Sequence, residues 1–406
     1  MDNCKIEEIA KTYGTPVYIY DADRMRENYS RIADAFKSLY PNTGVFYAVK
    51  ANSNPGIISI FNELGAGMDC SSPLELALAQ KAGVFSEKLM YTGNYESVSD
   101  LSAAVKAGAA INLDDRTSLE RLKKAGVPDR ISFRINPGIG RGGFEGIITG
   151  GTDAKFGIPY EEAGEAYKSA QKMGISRFGI HMMTGSNNLE PLYFAQIVEK
   201  LMIIAADIFS DLGSLPEYID IGGGFGVPYE DNEPPLDIKQ TAQRVVDTFL
   251  EKCQRYGFGE PELRLEPGRY LAADAGVLAT TVTGKKKSYR DFIGVDAGMN
   301  TLLRPALYDA HHRIVTCSPR KGDVRKVSVC GRICENSDIF MRNAFLPPVE
   351  EGDLLYFRDA GAYGFAMASS YNGRLRPAEV LVDGDSVKLI RKPETSEDIF
   401  DGIVYM

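Results

Sequence analysis

Between residues 23 and 270 the chain repeats one unit eight times: a stretch of helical periodicity, then a short apolar run ending on polar or glycine residues. The runs are FYAVK (46–50), GMDCS (67–71), KLMYTG (88–93), AINLDD (110–115), ISFRINP (131–137), FGIHMMTG (178–185), YIDIGGGF (218–225) and LRLEPGRY (263–270). Apolar runs this short, spaced by helices, are parallel strands joined by right-handed crossovers. Eight such units close into a (β/α)8 TIM-like barrel, whereas an open doubly wound sheet would use fewer. The punctuation agrees. Gly65, Gly83, Gly108, Gly126, Gly174, Gly213 and Gly257 stand just past seven of the helices, where a left-handed cap needs no Cβ. Asp21 or Asp23 can cap a helix running to about Leu39, and Ser72-Pro73-Leu74-Glu75 has capping-box spacing with proline at the first helical position.

After Tyr270 the texture changes to short alternating runs such as GVLATTVTG, RKVSVCG, DLLYFRDAG and AEVLVDGDSVKLIRK. These predict an antiparallel β domain, a sandwich or barrel, into which the strand Val17–Tyr20 can pair. The expected class is α/β plus β: a barrel over 22–270, and a β domain from 1–21 plus 271–406.

Composition narrows the function. A net charge of −9, from 46 basic and 55 acidic residues, argues against a nucleic-acid backbone as partner. No run approaches the roughly 20 apolar residues of a membrane span, and MDNCKIEEIA lacks the pattern of a signal peptide. The six cysteines are scattered without a C-x-x-C pair, and there are only three histidines. No metal site is expected, and a reducing cytoplasmic location is. His311-His312 reads as surface.

Every barrel strand ends on something chemical. Lys50 closes the first and Asp69 the second; Asn94 and Asp114 follow the third and fourth. Arg134 and Asn136 lie on the fifth, and His181 with Gly185-Ser186 on the sixth. Gly222-Gly223-Gly224 end the seventh and Glu266-Pro267-Gly268-Arg269 the eighth. Catalytic groups of such barrels sit at this face, and phosphate sites favour the loops after strands seven and eight. Glycines let backbone N–H groups approach an anion closely. A lysine, an anion cradle and a carboxylate are the three things pyridoxal phosphate needs: a Schiff-base partner, a phosphate site, and an acid that keeps the ring nitrogen protonated.

YAVKAN (47–52), GMDCSSPLEL, KFGI (155–158), GIHMMTGS, IDIGGGFG and EPGR, continued by DAGMNTLLRPALY, CENSD, DAGAYGFAMASSYNGR and RPAEVLV, form a specific set. By it the chain resembles, over essentially its whole length, the pyridoxal-phosphate-dependent decarboxylases of the alanine racemase-like fold. The likeness is greatest to those acting on diaminopimelate. The resemblance implies that Lys50 links covalently to the cofactor and that His181 and Met183 lie at its ring. Ser186, Gly222, Gly223, Gly224 and Tyr371 would hold the phosphate, beside Gly268 and Arg269, and Glu266 would meet the ring nitrogen. Arg269, Arg304, Tyr308, Glu335, Tyr363 and Tyr371 would bind substrate. It also implies a homodimer with shared sites, in which Cys334, the proton donor, and Glu335 come from the partner subunit. A thiol is a reasonable acid, since its unperturbed pKa of about 8.5 leaves it protonated at neutral pH.

Glu335 suits a distal ammonium and Arg304 a distal carboxylate. A diamino diacid such as meso-2,6-diaminopimelate carries both, and its decarboxylation gives L-lysine and carbon dioxide. One departure stands out: the family usually has a ring-stacking second histidine where this chain has Met183, in His181-Met182-Met183-Thr184-Gly185-Ser186. A thioether can pack on an aromatic ring, so the departure bears on substrate more than on cofactor. A same-fold decarboxylase of another amino acid, carrier-linked, siderophore-precursor, ornithine or lysine, is therefore the alternative. Intact Lys50, Glu266 and Cys334 argue against a non-catalytic homologue, and CENSD with RPALY argues against a racemase.

Overall fold

The computed structural model describes residues 2–138, 150–151 and 153–404. Most of the glycine-rich loop expected between Gly138 and Gly157 lies outside the described residues. The chain divides into two compact units: Arg26–Pro228 with Pro234–Leu271, and Met1–Met25 with Tyr229–Glu233 and Ala272–Met406.

The strand β1 (Val17–Asp21) precedes the barrel and belongs to the second unit. The barrel consists of β2 (Thr43–Ala48), β3 (Gly67–Cys70), β4 (Leu89–Thr92), β5 (Ala110–Leu113), β6 (Arg130–Phe133), β7 (Arg177–His181), β8 (Tyr218–Asp220) and β9 (Glu262–Leu265). These eight strands follow chain order around a closed barrel, every pairing is parallel, and β9 closes onto β2. All eight expected strands are present. All seven stop glycines have φ between +63° and +130°, values that an L side chain resists. The helix Ala22–Lys37 starts as expected, with Asp21 Oδ1 accepting from Arg24 N at 3.0 Å. Before the helix Pro73–Lys81, Ser72 Oγ accepts from Glu75 N as expected. The return arm differs, because Glu75 Oε2 takes the N–H of Ser71, 2.6 Å away.

Arg264 is buried within the barrel, its guanidinium 3.8 Å from the Tyr218 ring centroid and 4.7 Å from that of Phe46. Glu262 pairs with it at 2.7 Å, so the buried charge is both stacked and neutralised.

The second unit is built on a nine-stranded sheet in which β1 is interior. β1 pairs antiparallel with β10 (Gly276–Lys287) and parallel with Ala378–Asp383. A second parallel pair joins Asp291–Val295 to Arg325–Cys330; the other pairings are antiparallel. The two parallel pairs depart from the purely antiparallel expectation. That expectation assumes hairpins, which force antiparallel pairing only between strands joined by short turns. Each parallel pair here joins strands separated by a long connection, which leaves the direction free.

The segment Tyr229–Glu233 was expected within the barrel but packs with the second unit. Arg313 bonds Asp231 Oδ1 at 3.1 Å and Asp359 Oδ2 at 2.8 Å, and the Tyr229 ring lies against Arg304 and His312. Among the described residues no helix is long and apolar enough to cross a membrane.

Candidate active site at the barrel mouth

Strand register builds the site. His181, Asp220 and Arg264 are paired neighbours on β7, β8 and β9, so the three share one level and one face. Glu266 lies two residues past Arg264, on the same face and one step nearer the strand ends. The result is a buried group in which ligand atoms of His181, Asp220 and Glu266 lie within 4.8 Å of one another. His181 Nε2 is 3.2 Å from Glu266 Oε2. On β2, the strand onto which β9 closes, Ala48 is level with Asp69 of β3. Lys50 stands two residues beyond Ala48, on the short turn Val49–Ala51, and its Nζ donates back to Asp69 Oδ2 at 3.0 Å.

Three buried carboxylates therefore share the mouth, and they cannot all be ionised cheaply. Burial raises Glu266, but His181, Lys50 and Arg134 outweigh it, and its pKa falls below the usual carboxylate value. Burial and the Glu266 charge push Asp220 well up, against the pull of the Gly222 N–H. Asp69 also rises, through burial and Glu266, although Lys50 opposes the shift. The shared mouth thus moves its carboxyls apart, Glu266 down and Asp69 and Asp220 up.

The seventh-strand loop needs its glycines. Gly222 has φ +68° and Gly224 φ +91°. A Cβ on Gly223 would stand 2.4 Å from Glu266 O, and one on Gly224 2.8 Å from Gly185 O. Gly222 N donates to Asp220 Oδ1 at 2.8 Å, whereas Gly223 N points at Met183 Sδ, 3.2 Å away. Beside the loop, Arg269 Nη2 donates to Ser186 Oγ at 3.1 Å, and Gly268 is buried.

The remaining expected site residues lie in the second unit. Arg304, on the short helix Arg304–Tyr308, is buried, and Tyr308 and Tyr363 are half-buried, Tyr363 with a positive φ of 56°. Cys334 and Glu335 are exposed. Tyr371, also exposed, donates its hydroxyl to Glu335 Oε2 at 2.7 Å. That bond and one from Ser337 hold the Glu335 carboxyl below its usual range. The structure thus groups Glu335 with Tyr371, and separately groups Lys50, His181, Glu266, Asp69, Asp220 and the glycine loop.

Sequence reasoning left Asp220 out and gave Asp69 no role. Both are acids inside otherwise apolar strands, a signal that was there to use. His312, read as surface, is buried beside Arg304.

The family profile described as "Pyridoxal-dependent decarboxylase, pyridoxal binding domain" matches residues 24–273. The diaminopimelate decarboxylase of Methanothermobacter thermautotrophicus is 45% identical over 97% of this chain and 93% of its own length. That of Thermoplasma acidophilum is 41% identical over 97% and 94%. A crystal structure of diaminopimelate decarboxylase from Helicobacter pylori, complexed with L-lysine, superposes with a TM-score of 0.90 at 34% identity, covering 98% of each chain. The chain belongs to the pyridoxal-dependent decarboxylases.

The cofactor of this family is pyridoxal phosphate, and the residues present fit it. Glu266 Oε1 is buried with no hydrogen-bond partner among the described residues, an acceptor placed where a ring N–H can meet it. Gly223 N spends its hydrogen bond on a thioether, among the weakest acceptors a protein offers, so a phosphate oxygen would displace it at little cost. His181, Asp220 and Glu266 are also close enough to ligate one ion. With Lys50 and Arg134 already drawing on the Glu266 charge, the cluster is better matched to a ring N–H than to a dication.

Proposed function

We propose that this protein decarboxylates meso-2,6-diaminopimelate to L-lysine with pyridoxal phosphate, as a cytoplasmic homodimer with shared active sites. The observation that carries the reading is the joint placement of Lys50, Glu266 beside His181, and the Gly222–Gly224 loop at one barrel mouth.

When bound, the cofactor supplies an electron sink for the bond to the departing carboxylate. The chain's residues do the rest. Lys50 is the attachment point, with Asp69 holding its amine at the mouth. Gly222, Gly223, Gly224 and Ser186, with Gly268, Arg269 and Tyr371 beside them, receive the phosphate. Glu266, oriented by His181, keeps the ring nitrogen protonated. Met183 packs at the ring. Arg304, Tyr308 and Tyr363 receive substrate, with Arg304 on the distal carboxylate and Arg269 and Tyr371 near the reacting end. The partner subunit's Cys334 returns a proton to the α-carbon, and the partner subunit's Glu335 pairs with the distal ammonium.

The substrate assignment is supported by the diaminopimelate decarboxylases at 45% and 41% identity, and by Glu335 and Arg304, whose charges match the distal end of a diamino diacid. Met183 favours a second reading, a decarboxylase of a different amino acid on the same machinery. The test is carbon dioxide release by the cofactor-loaded protein from meso-diaminopimelate, with lysine, ornithine and arginine alongside. Release from diaminopimelate alone, with one lysine formed per carbon dioxide, is the expected result. Release from another amino acid, or from none, would sink the substrate assignment.

A further inference from the structure

His312 is 1% exposed and both ring nitrogens are engaged. Nδ1 lies 2.9 Å from Arg358 O, a carbonyl that can only accept, so Nδ1 carries the proton. Nε2 lies 2.9 Å from Arg304 Nη1, a guanidinium nitrogen that can only donate, so Nε2 is the bare nitrogen and accepts. The two bonds select one neutral tautomer. Tyr229 completes the arrangement. Its ring meets His312 edge to face, with centroids 5.5 Å apart and planes at 74°, and the Arg304 guanidinium lies 4.6 Å from its centroid. Arg304 is thus held along one edge by an imidazole and over its plane by an aromatic face. A guanidinium has five N–H donors in a rigid fork, so fixing one edge aims the others.

We propose that His312 is a positioning residue for substrate recognition: its neutral ring fixes the Arg304 fork in the orientation that takes the substrate's distal carboxylate. This rests on the assignment of Arg304 to that carboxylate under Proposed function. His312 touches no substrate in this scheme, so its loss should weaken binding and leave the chemical step largely intact.

The experiment compares kcat and KM for meso-diaminopimelate in the cofactor-loaded, full-length wild type and in His312→Phe, His312→Gln and Arg304→Met. Loss of a hydrogen bond to a charged group is worth on the order of ten- to hundredfold in binding. His312→Phe should raise KM by at least about tenfold, with kcat within about threefold. His312→Gln, whose amide oxygen can still accept from Arg304, should recover most of that KM. Equal KM in wild type and His312→Phe, a defect in kcat alone, or failure of the glutamine to recover would overturn the proposal. Arg304→Met separates the two levels: if it leaves KM unchanged, the carboxylate assignment itself fails. If only Arg304→Met raises KM, the His312 inference fails alone. Should His312→Phe not fold, 15N-histidine labelling of the wild type decides, since three histidines give three rings. A protonated Nδ1 and bare Nε2 at His312 support the proposal, and a protonated Nε2 overturns it.

Discussion

Asp220 and Glu266 are two carboxyls in one buried cluster whose pKa values move apart: burial and the Glu266 charge push Asp220 well up, while His181, Lys50 and Arg134 outweigh burial and hold Glu266 down. A carboxyl whose pKa is raised by folding contributes stability below its unfolded pKa, near 3.9, and loses it as pH rises. Asp220 therefore costs the apo-protein stability at neutral pH. Asp220→Asn mimics the protonated acid and keeps the acceptor for Gly222 N. The apo variant should melt at a higher temperature than wild type at pH 7–8, and the difference should vanish below about pH 4. Thermal unfolding across that range checks it, and a variant less stable at pH 8 would contradict the assignment. Residue-scale detail was only partly legible beforehand. Lys50 and Glu266 stood out as polar ends of apolar strands. His312 did not, because a histidine pair beside Arg313 looks solvated until the fold puts Arg358 O and Arg304 on either side of the ring.

Elements were the most legible level. Helical periodicity and short apolar runs agree at all eight units, with a glycine stop at seven of them, and consistency of that kind specifies a fold. The β unit was less legible because the direction of pairing is decided by partners remote in sequence. β1 takes neighbours from residues 276–279 and 378–382, which no local pattern announces. The glycines themselves divide into two kinds that substitution should separate. Gly213 caps the helix Pro191–Leu212 at φ +63° with nothing within 4 Å of an added Cβ, so Gly213→Ala should cost about 1 kcal/mol of stability and leave cofactor binding alone. Gly223→Ala would put a Cβ against Glu266 O and force the loop to move. Its cofactor affinity should fall at least about tenfold, read by titrating apo-protein with pyridoxal phosphate. Equal cofactor affinity in the two variants would mean that the loop is not the phosphate cradle.

At the scale of the whole molecule, the exposed Cys334 and Glu335 belong to a site that the proposal completes with a second chain. Mixing Lys50→Ala and Cys334→Ala chains, each inactive alone, should restore about a quarter of wild-type activity, because half the dimers are mixed and each has one intact site. No recovery after subunit exchange would place Cys334 in its own chain's site. The central claim is that Lys50, at the end of β2, is where the cofactor attaches. Borohydride reduction of the yellow protein followed by peptide mapping tests it directly. The account predicts one pyridoxyl group per chain, on the peptide containing Lys50, and none in Lys50→Ala. A pyridoxyl group on a different lysine of an active enzyme would contradict it.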